Sequence, residues 1–549
     1  VLLFWGNAEA RKKKGKKVEE VQTESAYRKF FKGKACETAK GMITLHKMDG
    51  RVYFEIPLAL MGREMLMGST ISEITNNGFG SVGEKPKGLL YISFVRCDSV
   101  ISLKQLTAQY DTNEENLKQR IKESTIPATI KNFKITTYNE DSTAVVIDMT
   151  DYLVSADEAI DPFSPWAPIL AGGERVMEKE FRRENSQVVS IKAFEDNVSV
   201  KSSLTYGLSL KNKVMYIFQR EPFTVVMTRS FILLPEHSMR PRLADPRIAI
   251  FSQGVSAFNG DSRGAQARYY AQRWNLEPKD MEQYRKGVLT EPKKPIVFYV
   301  DNTFPENWKK YIKEGVEVWQ MAFEKIGFKN AIVARDFPVD DVTFDPDNLK
   351  YSCVRYSPSW VANAMGPSWT DPRTGEIINA SVYLYHNLVK MVQNWRFIQT
   401  GPADANVRKI VFDEETLGEC IRYVVSHEIG HCLGFMHNMA ASSAIPVDSL
   451  RSPSFTQKYG TTYSIMDYAR NNYVAQPGDK EKGVKLTPPD LGLYDLFTVA
   501  WSYTPLPEAK TSEEEVPVLD RWITEKSGDP IYRYGKQQMY MRLDPSSFE

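Results

Sequence analysis

The segment HEIGHCLGFMH, residues 427–437, holds three of the six histidines in a chain of 549 residues. His427 and His431 are four positions apart, so on a helix both imidazoles lie on one face, one turn apart, close enough to share a metal ion. Glu428 lies beside them and can reach a metal-bound water without being a ligand itself. The spacing therefore predicts a metal site with its own general base.

The residues before this segment predict the helix that carries it. Asp413 is a favourable N-cap, and Glu414 and Glu415 follow in the first turn, where the positive end of the helix dipole favours acidic side chains. Apolar residues then recur at helical spacing: Leu417, Ile421, Val424 and Val425. We therefore expect an amphipathic helix whose apolar face packs inward.

Gly434 predicts the end of this helix, because glycine accepts the left-handed backbone with which helices commonly stop. The chain can then turn and bring His437 to the same ion. Structural zinc sites usually have four protein ligands, whereas three histidines leave a position open for water. Cys432 is a possible fourth ligand, but it points roughly 100° further round the helix than His431, so we expect a packed thiol. The full pattern HExxHxxGxxH indicates a catalytic Zn²⁺ site.

This pattern resembles that of the metzincin clan of zinc metalloendopeptidases. Members of the clan carry a methionine turn downstream of the zinc motif, and YSIMDY, residues 463–468, matches it with Met466. Tyr468 matches the position at which astacin-like and serralysin-like members have a tyrosine that binds zinc or stabilises the oxyanion. Asn438 stands where astacins have a glutamate, so no single family within the clan is assigned.

The resemblance covers roughly residues 290–505 and implies a secreted or periplasmic zinc endopeptidase. The general layout is similar to that of the large secreted metzincin-like proteins of Bacteroidetes-type bacteria. In this interpretation Glu428 takes a proton from the zinc-bound water as it attacks a peptide carbonyl, and Tyr468 stabilises the oxyanion. Gly434 and Met466 are structural at the site. The zinc ligands are His427, His431 and His437.

Two alternative functions remain open. The chain could be a cell-surface binding protein with a vestigial zinc domain, although an inactive site has no need of the general base Glu428. It could also be a zinc amidase that acts on cell-wall peptides. Cleavage of casein or peptides by the unmodified protein and by Glu428→Ala would separate a peptidase from a binding protein.

The whole chain predicts an α+β protein of several domains. Strand-like segments separated by turn residues predict a small β-rich segment at 26–87 and a β-rich antiparallel sandwich or barrel at 88–251. Strands with a covering helix predict an α/β domain that begins near residue 290. The resemblance implies that residues 291–505 form a metzincin-like catalytic domain with a mixed sheet and the zinc-binding helix. Residues 252–290 are expected to be a connector, and 506–549 a truncated C-terminal extension.

The N-terminal residues predict where the protein is located. Residues 1–10, VLLFWGNAEA, are an apolar run ending in Ala8-Glu9-Ala10, which is typical of the remnant of a signal peptide. A short buried strand is the alternative, but the basic linker that follows at 11–25 would bury poorly. No later stretch approaches the roughly 18 apolar residues of a membrane span. We expect a secreted, periplasmic or cell-surface protein.

The composition limits the partners. Lysine and arginine number 70 against 69 acidic residues, a net charge of +1, so no general electrostatic attraction to nucleic acid is expected. The five cysteines are scattered without a CxxC pair, which excludes a disulfide scaffold and a cysteine-built metal site. The expected partner is a protein or peptide substrate, and the oligomeric state is not indicated.

Two further segments carry weaker signals. The segment ANAMGPSW, residues 362–369, is a candidate edge strand along which an extended substrate would lie, and an ordinary internal strand is the alternative. The segment FNGD, residues 258–261, resembles a string in astacin-like proenzymes whose aspartate blocks the zinc. That role would fall to Asp261, although a solvated Gly-Asp turn is the plainer interpretation.

Overall fold

A computed structural model describes residues 24–112, 114–165, 167–170, 174–258, 260, 264–488 and 490–535 of the protein. The predicted signal-peptide remnant at 1–10, most of the basic linker, and Asp261 lie outside these residues, and so remain predictions. Strands within the described ranges form three sheets. No described helix combines the length and the hydrophobicity that crossing a membrane requires.

The front part of the chain forms one antiparallel sheet. Its described strands run in the spatial order β1-β2-β3-β9-β8-β6-β5-β4-β13-β12-β10, with β11 beside β12. Their bounds are β1 (Glu37–Ala39), β2 (Thr44–Met48), β3 (Arg51–Pro57), β4 (Met65–Ile74), β5 (Leu90–Cys97), β6 (Val100–Gln105), β8 (Ala128–Tyr138), β9 (Ala144–Asp148), β10 (Val176–Phe181), β11 (Gln187–Ala193), β12 (Asn197–Lys211) and β13 (Tyr216–Leu233). Because β4 pairs with both β5 and β13, this sheet continues across residue 87, where the sequence suggested a division.

Most described strands of the front sheet share one large apolar core. Phe54 of β3 and Phe94 of β5 both pack against Phe231 of β13, with ring centroids 5.5 and 6.3 Å apart. Three short helices accompany the sheet: α1 (Ala26–Phe31), α2 (Glu115–Ser124) and α3 (Thr150–Leu153). One shared core explains why strands from the two predicted β-rich segments fold together.

A small sheet follows the front sheet in the chain. It consists of β7 (Tyr110–Asp111), β14 (Ser252–Ala257) and β15 (Gln266–Ala271), and α4 (Met281–Arg285) comes after it. The segment predicted as a connector at 252–290 therefore contains a hairpin and a helix of its own.

The C-terminal part has the mixed sheet that the sequence predicts. Its described strands are β16 (Ile296–Val300), β17 (Ile332–Asp336), β18 (Ser352–Ser357), β19 (Ala364–Met365), β20 (Ser368–Thr370) and β21 (Ile377–Tyr385), in the order β17-β16-β18-β21-β19 with β20 beside β21. The pairs among β17, β16, β18 and β21 are parallel. Both β19 and β20 run antiparallel to β21. The predicted α+β fold class is thus confirmed.

The described residues of the C-terminal part also form seven α-helices. They are α5 (Glu306–Glu317), α6 (Gln320–Lys325), α7 (Leu388–Thr400), α8 (Glu414–Cys432), α9 (Pro453–Tyr459), α10 (Leu493–Tyr503) and α11 (Ser512–Thr524). The helices α5 and α8 pack closely at Gly315, where the absence of a side chain makes room for α8. A Cβ on Gly315 would lie only 2.8 Å from Cβ of Val425. That contact buries the apolar face of α8 predicted from its spacing.

The front sheet and the mixed sheet are joined by a polar and apolar interface. Asn348 Nδ2 donates a hydrogen bond to Asn197 Oδ1 at 2.7 Å, and the Tyr383 hydroxyl donates to the carbonyl of Gly83 at 3.1 Å. The fully buried Leu349 packs against Gly68 of β4. The front sheet thereby holds the loop before β18 and one face of β21.

Candidate metal centre and cleft

The helix α8 begins and ends where the sequence predicts. The Asp413 carboxylate accepts a hydrogen bond from the backbone N–H of Thr416 at 2.9 Å, which caps the first turn. At the other end Gly434 has φ +93°, and the N–H groups of Gly434 and Phe435 donate to the carbonyls of His431 and Gly430. This is a Schellman motif. A Cβ on Gly434 would also overlap the carbonyl oxygen of Gln272, so space and backbone both require glycine.

The helix and the turn after it bring three imidazoles together. His437 Nε2 lies 3.1 Å from His427 Nε2 and 3.0 Å from His431 Nε2. His427 Nδ1 lies 2.7 Å from the carbonyl oxygen of Ile465, and His431 Nδ1 lies 2.8 Å from that of Phe435. A carbonyl only accepts hydrogen bonds, so both Nδ1 atoms carry the proton.

This arrangement fits a metal ion. Two neutral imidazoles that donate through Nδ1 present Nε2 lone pairs to their common centre, which is the orientation that a divalent cation requires. The possible ligand atoms of the three histidines all lie within 4.8 Å of one another. Cys432 is fully buried, with Sγ 3.8 Å from the carbonyl oxygen of Ser381, and does not join the group, as the sequence predicts.

Burial keeps the imidazoles of His427 and His431 neutral. It lowers the pKa of His427 well below its usual value, and the neighbouring His431 and His437 lower it further. Burial and His437 lower the pKa of His431 to about 3. Neutral imidazole is the form that binds metal, so these ligands do not need to lose a proton first at neutral pH.

Glu428 lies in the same cleft as the histidines. Its side chain is 9% exposed, and burial raises its pKa to about 8. A carboxylate with a pKa near neutrality can both accept and return a proton. The cleft has a volume of about 590 Å³, and among its described walls are the three histidines, Glu428 and Tyr468.

The methionine turn lies directly beneath the histidines. A Cβ on Gly430 would overlap Met466 Sδ, so the glycine within the motif makes room for this methionine. The turn is held by Asp495 of α10, whose carboxylate accepts hydrogen bonds from the Ser464 hydroxyl at 2.6 Å and the Ile465 N–H at 2.7 Å. Since Ile465 supplies the carbonyl that orients His427, α10 indirectly orients a candidate ligand.

Comparison with protein families matches residues 409–549 to a family described as Met-zincin. The match includes α8, the three histidines and the methionine turn. The C-terminal part of the chain is a metzincin-like domain. Residues 85–279 and 24–74 match two further families, each described as a domain of unknown function, DUF5117 and DUF5118. Comparison with curated proteins and with solved structures gives no match.

The match supports a metallopeptidase-like hydrolase, and zinc is the metal typical of metzincins. In the metzincin-like domain the predicted site residues lie close together. Tyr468 is 45% exposed in the cleft, with its ring centroid 4.6 Å from that of His437. Gly434 lies at the end of α8 and Met466 lies beneath it. The roles given to these residues from the sequence remain predictions.

Asn438, which departs from the astacin pattern, has a structural place in the metzincin-like domain. It is fully buried, and its Nδ2 donates to the carbonyl of Arg533 at 3.0 Å while its Oδ1 accepts from the N–H of Gly535 at 2.9 Å. The segment predicted to be a C-terminal extension is therefore fastened next to His437.

Several residues of the cleft were not predicted from the sequence. Trp395 of α7 and Arg470, two residues after Tyr468, both line it. Gly366 lies where the edge strand crosses α8, because a Cβ there would overlap the backbone carbonyl of Glu428. These residues come from separate elements, and a tryptophan, an arginine or a glycine alone gives no signal of a site. The one sequence signal for this contact is that Gly366 lies within the candidate edge strand ANAMGPSW.

Among the described residues, the front sheet does not cover the cleft. From the residues before 290, the described walls of the cleft include Phe251 and Gln272, whereas the front sheet itself contributes none. The strand β19 lies at the end of the mixed sheet, and the neighbouring residues Asn363–Ser368 form one wall. A ligand can thus approach along this edge.

Proposed function

We propose that the protein is a zinc-dependent endopeptidase. One observation carries the proposal: three imidazole Nε2 atoms converge in an open cleft beside the buried carboxylate of Glu428. A structural metal site has no use for an open cleft and an unligated carboxylate, whereas a hydrolytic site needs both.

In this mechanism His427, His431 and His437 would hold the zinc, which when bound polarises a peptide carbonyl and makes water more acidic. Glu428 takes a proton from the attacking water and returns it to the leaving amine. The Tyr468 hydroxyl donates a hydrogen bond to the oxyanion as it develops.

The substrate backbone would pair with the edge strand. The strand β19 forms ladder hydrogen bonds with β21 on one side, and Ala364 and Met365 both lie in the wall of the cleft. Addition of a substrate strand at such an edge holds the backbone of many different sequences. This supports cleavage within an extended peptide rather than removal of a small terminal group.

The test compares the unmodified protein with Glu428→Gln. We expect both to bind about one zinc per chain, and the variant to cleave casein or fluorogenic peptides about 100- to 10,000-fold more slowly. Glu415→Gln, an exposed change on the same helix, should keep full activity. Equal cleavage by the unmodified protein and Glu428→Gln would show that the peptidase assignment is wrong. Mass spectrometry of the products distinguishes peptide-bond cleavage from the action of an amidase.

We also propose that the protein acts outside the cytoplasm. The apolar run at 1–10 and its Ala8-Glu9-Ala10 ending support this location. Export with removal of these residues is expected, and cell fractionation followed by N-terminal sequencing checks it. Retention in the cytoplasm with an uncut N-terminus would contradict the proposal.

A further inference from the structure

The cleft carries a charged side chain that the proposed mechanism does not use. Among the described residues that line it, Arg470 is the one arginine or lysine and Glu428 is the one carboxylate. Trp395 of α7 lies against Arg470, and Met391, one turn earlier on the same helix, also lines the cleft. A single fixed cation on an apolar wall indicates that an anionic group of the ligand binds there.

The guanidinium of Arg470 lies close to the histidines. Its Cζ is 3.8 Å from the ring centroid of Trp395 and 5.2 Å from that of Tyr468. Tyr468 in turn contacts His437, with ring centroids 4.6 Å apart. One aromatic ring therefore separates the cation from the candidate metal centre, so the residue next to a bond cleaved there could reach it.

In the described part of the chain, the Arg470 guanidinium contacts aromatic rings and has no acidic partner. Neighbouring arginines have acidic partners: Arg422 pairs with Asp490, and Arg396 lies 3.6 Å from Asp404. Among the described residues, by contrast, no carboxylate forms an ion pair with Arg470. A partly buried cation without a counter-ion is costly, and a carboxylate of a ligand would supply the missing charge.

The backbone holds Arg470 in position before any ligand binds. Its φ of +47° is uncommon for a residue other than glycine. The next residue, Asn471, donates through Nδ2 to Gln399 Oε1 at 2.8 Å and accepts from Arg396 at 3.1 Å, which fastens the loop to α7. A cation that is already ordered loses little entropy on binding, so its charge adds to both affinity and specificity.

We infer that Arg470 determines specificity by binding an acidic side chain of the substrate next to the cleaved peptide bond. The inference rests on the proposed peptidase function. A guanidinium stacked on Trp395 keeps its N–H edges free, so a glutamate or aspartate carboxylate can accept two parallel hydrogen bonds from it. The methylene groups of that side chain then lie against Trp395 and Met391.

The first experiment measures cleavage of peptides that differ at one position. The series carries Glu, Gln or Lys beside the cleaved bond and has blocked termini. We expect kcat/KM for the Glu peptide to exceed that for the Gln peptide at least about tenfold. Arg470→Met, which keeps the stem over Trp395, should cleave both equally, and Arg470→Glu should favour Lys. Arg335→Met, on β17 at the opposite edge of the sheet, should keep the preference of the unmodified protein.

The second experiment measures binding without cleavage. Fluorescence anisotropy with the zinc-loaded Glu428→Gln protein gives the Kd of each labelled peptide, and adding Arg470→Met should remove the preference for Glu. Cleavage with no preference for Glu over Gln overturns the inference and leaves the peptidase function intact. Binding that favours Glu through Arg470, with no cleavage by the unmodified protein, overturns the peptidase function alone. A preference seen only with a free C-terminus would assign the carboxylate to the chain end and overturn the side-chain inference.

Discussion

Gly366 sets the distance between the edge strand and the base of the candidate site. A Cβ at this position would overlap the backbone carbonyl of Glu428 and lie 3.1 Å from its Cα. Both partners are main-chain atoms, so no side-chain rotation can relieve the overlap. The width of the cleft between β19 and α8 is therefore fixed by the absence of one methyl group.

We expect Gly366→Ala to widen the cleft and destabilise the protein. Overpacking of this kind costs about 1–3 kcal/mol, and moving the strand should lower kcat/KM for peptides as well. Gly88→Ala is the matched control, because nothing lies within 4 Å of a Cβ there. Urea unfolding and peptide cleavage measure the two effects. Equal stability and equal cleavage rates in the two variants would contradict the close contact between Gly366 and the backbone of Glu428.

Single residues differ in how far the sequence predicts them. The positions of His427, Glu428 and His431 follow from local spacing on one helix, so the sequence alone places them together. Gly366 and Arg470 meet the site through contacts between segments far apart in the chain. Such contacts leave no periodic pattern, and only the folded structure reveals them.

At the scale of elements, the end of α8 determines where the third imidazole lies. Gly434 combines a positive φ with a close approach to Gln272, whereas Gly287 has φ +76° and no atom within 4 Å of a Cβ. Gly287→Ala should thus lower the free energy of unfolding only by the backbone strain, about 1–2 kcal/mol. Gly434→Ala should cost more, and it should also weaken zinc binding because His437 moves.

Denaturant unfolding and a competitive zinc titration check this pair of variants. Weaker zinc binding in Gly434→Ala alone is the expected result. If both variants lose the same stability and bind zinc equally well, the turn does not position His437 in the way described.

Asp495 of α10 makes the methionine turn sensitive to pH. Burial raises the pKa of Asp495, whereas hydrogen bonds from Ser464, Ile465 and Gly492 lower it. Burial is the larger effect, so the pKa is raised to about 6. The folded state therefore binds the proton more tightly than the unfolded state, whose carboxyl has the ordinary value of 3.8. The stability that this group contributes is greatest below about pH 4 and falls as the pH rises to about 6.

We expect Asp495→Asn to lose this dependence. The free energy of unfolding of the unmodified protein, relative to the variant, should decrease by up to about 3 kcal/mol between pH 4 and 7. Urea unfolding at several pH values gives the two profiles. Parallel profiles would mean that Asp495 is ionised throughout this range.

Elements were predicted better than their arrangement. The caps and the apolar spacing of α8 are local, so its bounds follow from the sequence. The position of β4 depends on its pairing with β13 across more than a hundred residues, which strand patterns alone do not specify. The strand β19 spans only Ala364–Met365, too short for any alternation to show.

At the scale of the whole molecule, the front sheet supports the mixed sheet. Leu349, in the loop before β18, is fully buried against β4. We expect Leu349→Ala to lower the free energy of unfolding by about 2–5 kcal/mol. Val339→Ala, at a position 87% exposed, should have little effect.

Calorimetry shows whether the two sheets unfold together. A single transition that Leu349→Ala moves to lower temperature is the expected result, because the interface couples both sheets. Two separate transitions, of which Leu349→Ala shifts only one to lower temperature, would show that the front sheet unfolds independently of the mixed sheet. The domain division predicted from the sequence, including its boundary at residue 87, stays a prediction until then.

The hydrogen bonds of Asp495 and Asn438 also determine when the candidate metal site can form during synthesis. The carbonyl that orients His427 is held by residue 495, and the turn beside His437 is held by residues 533–535. A ribosome makes α8 well before either partner. A nascent chain that already contains all three histidines therefore lacks the supports that align them, and hydrolytic activity is expected only after the later segment has emerged and docked.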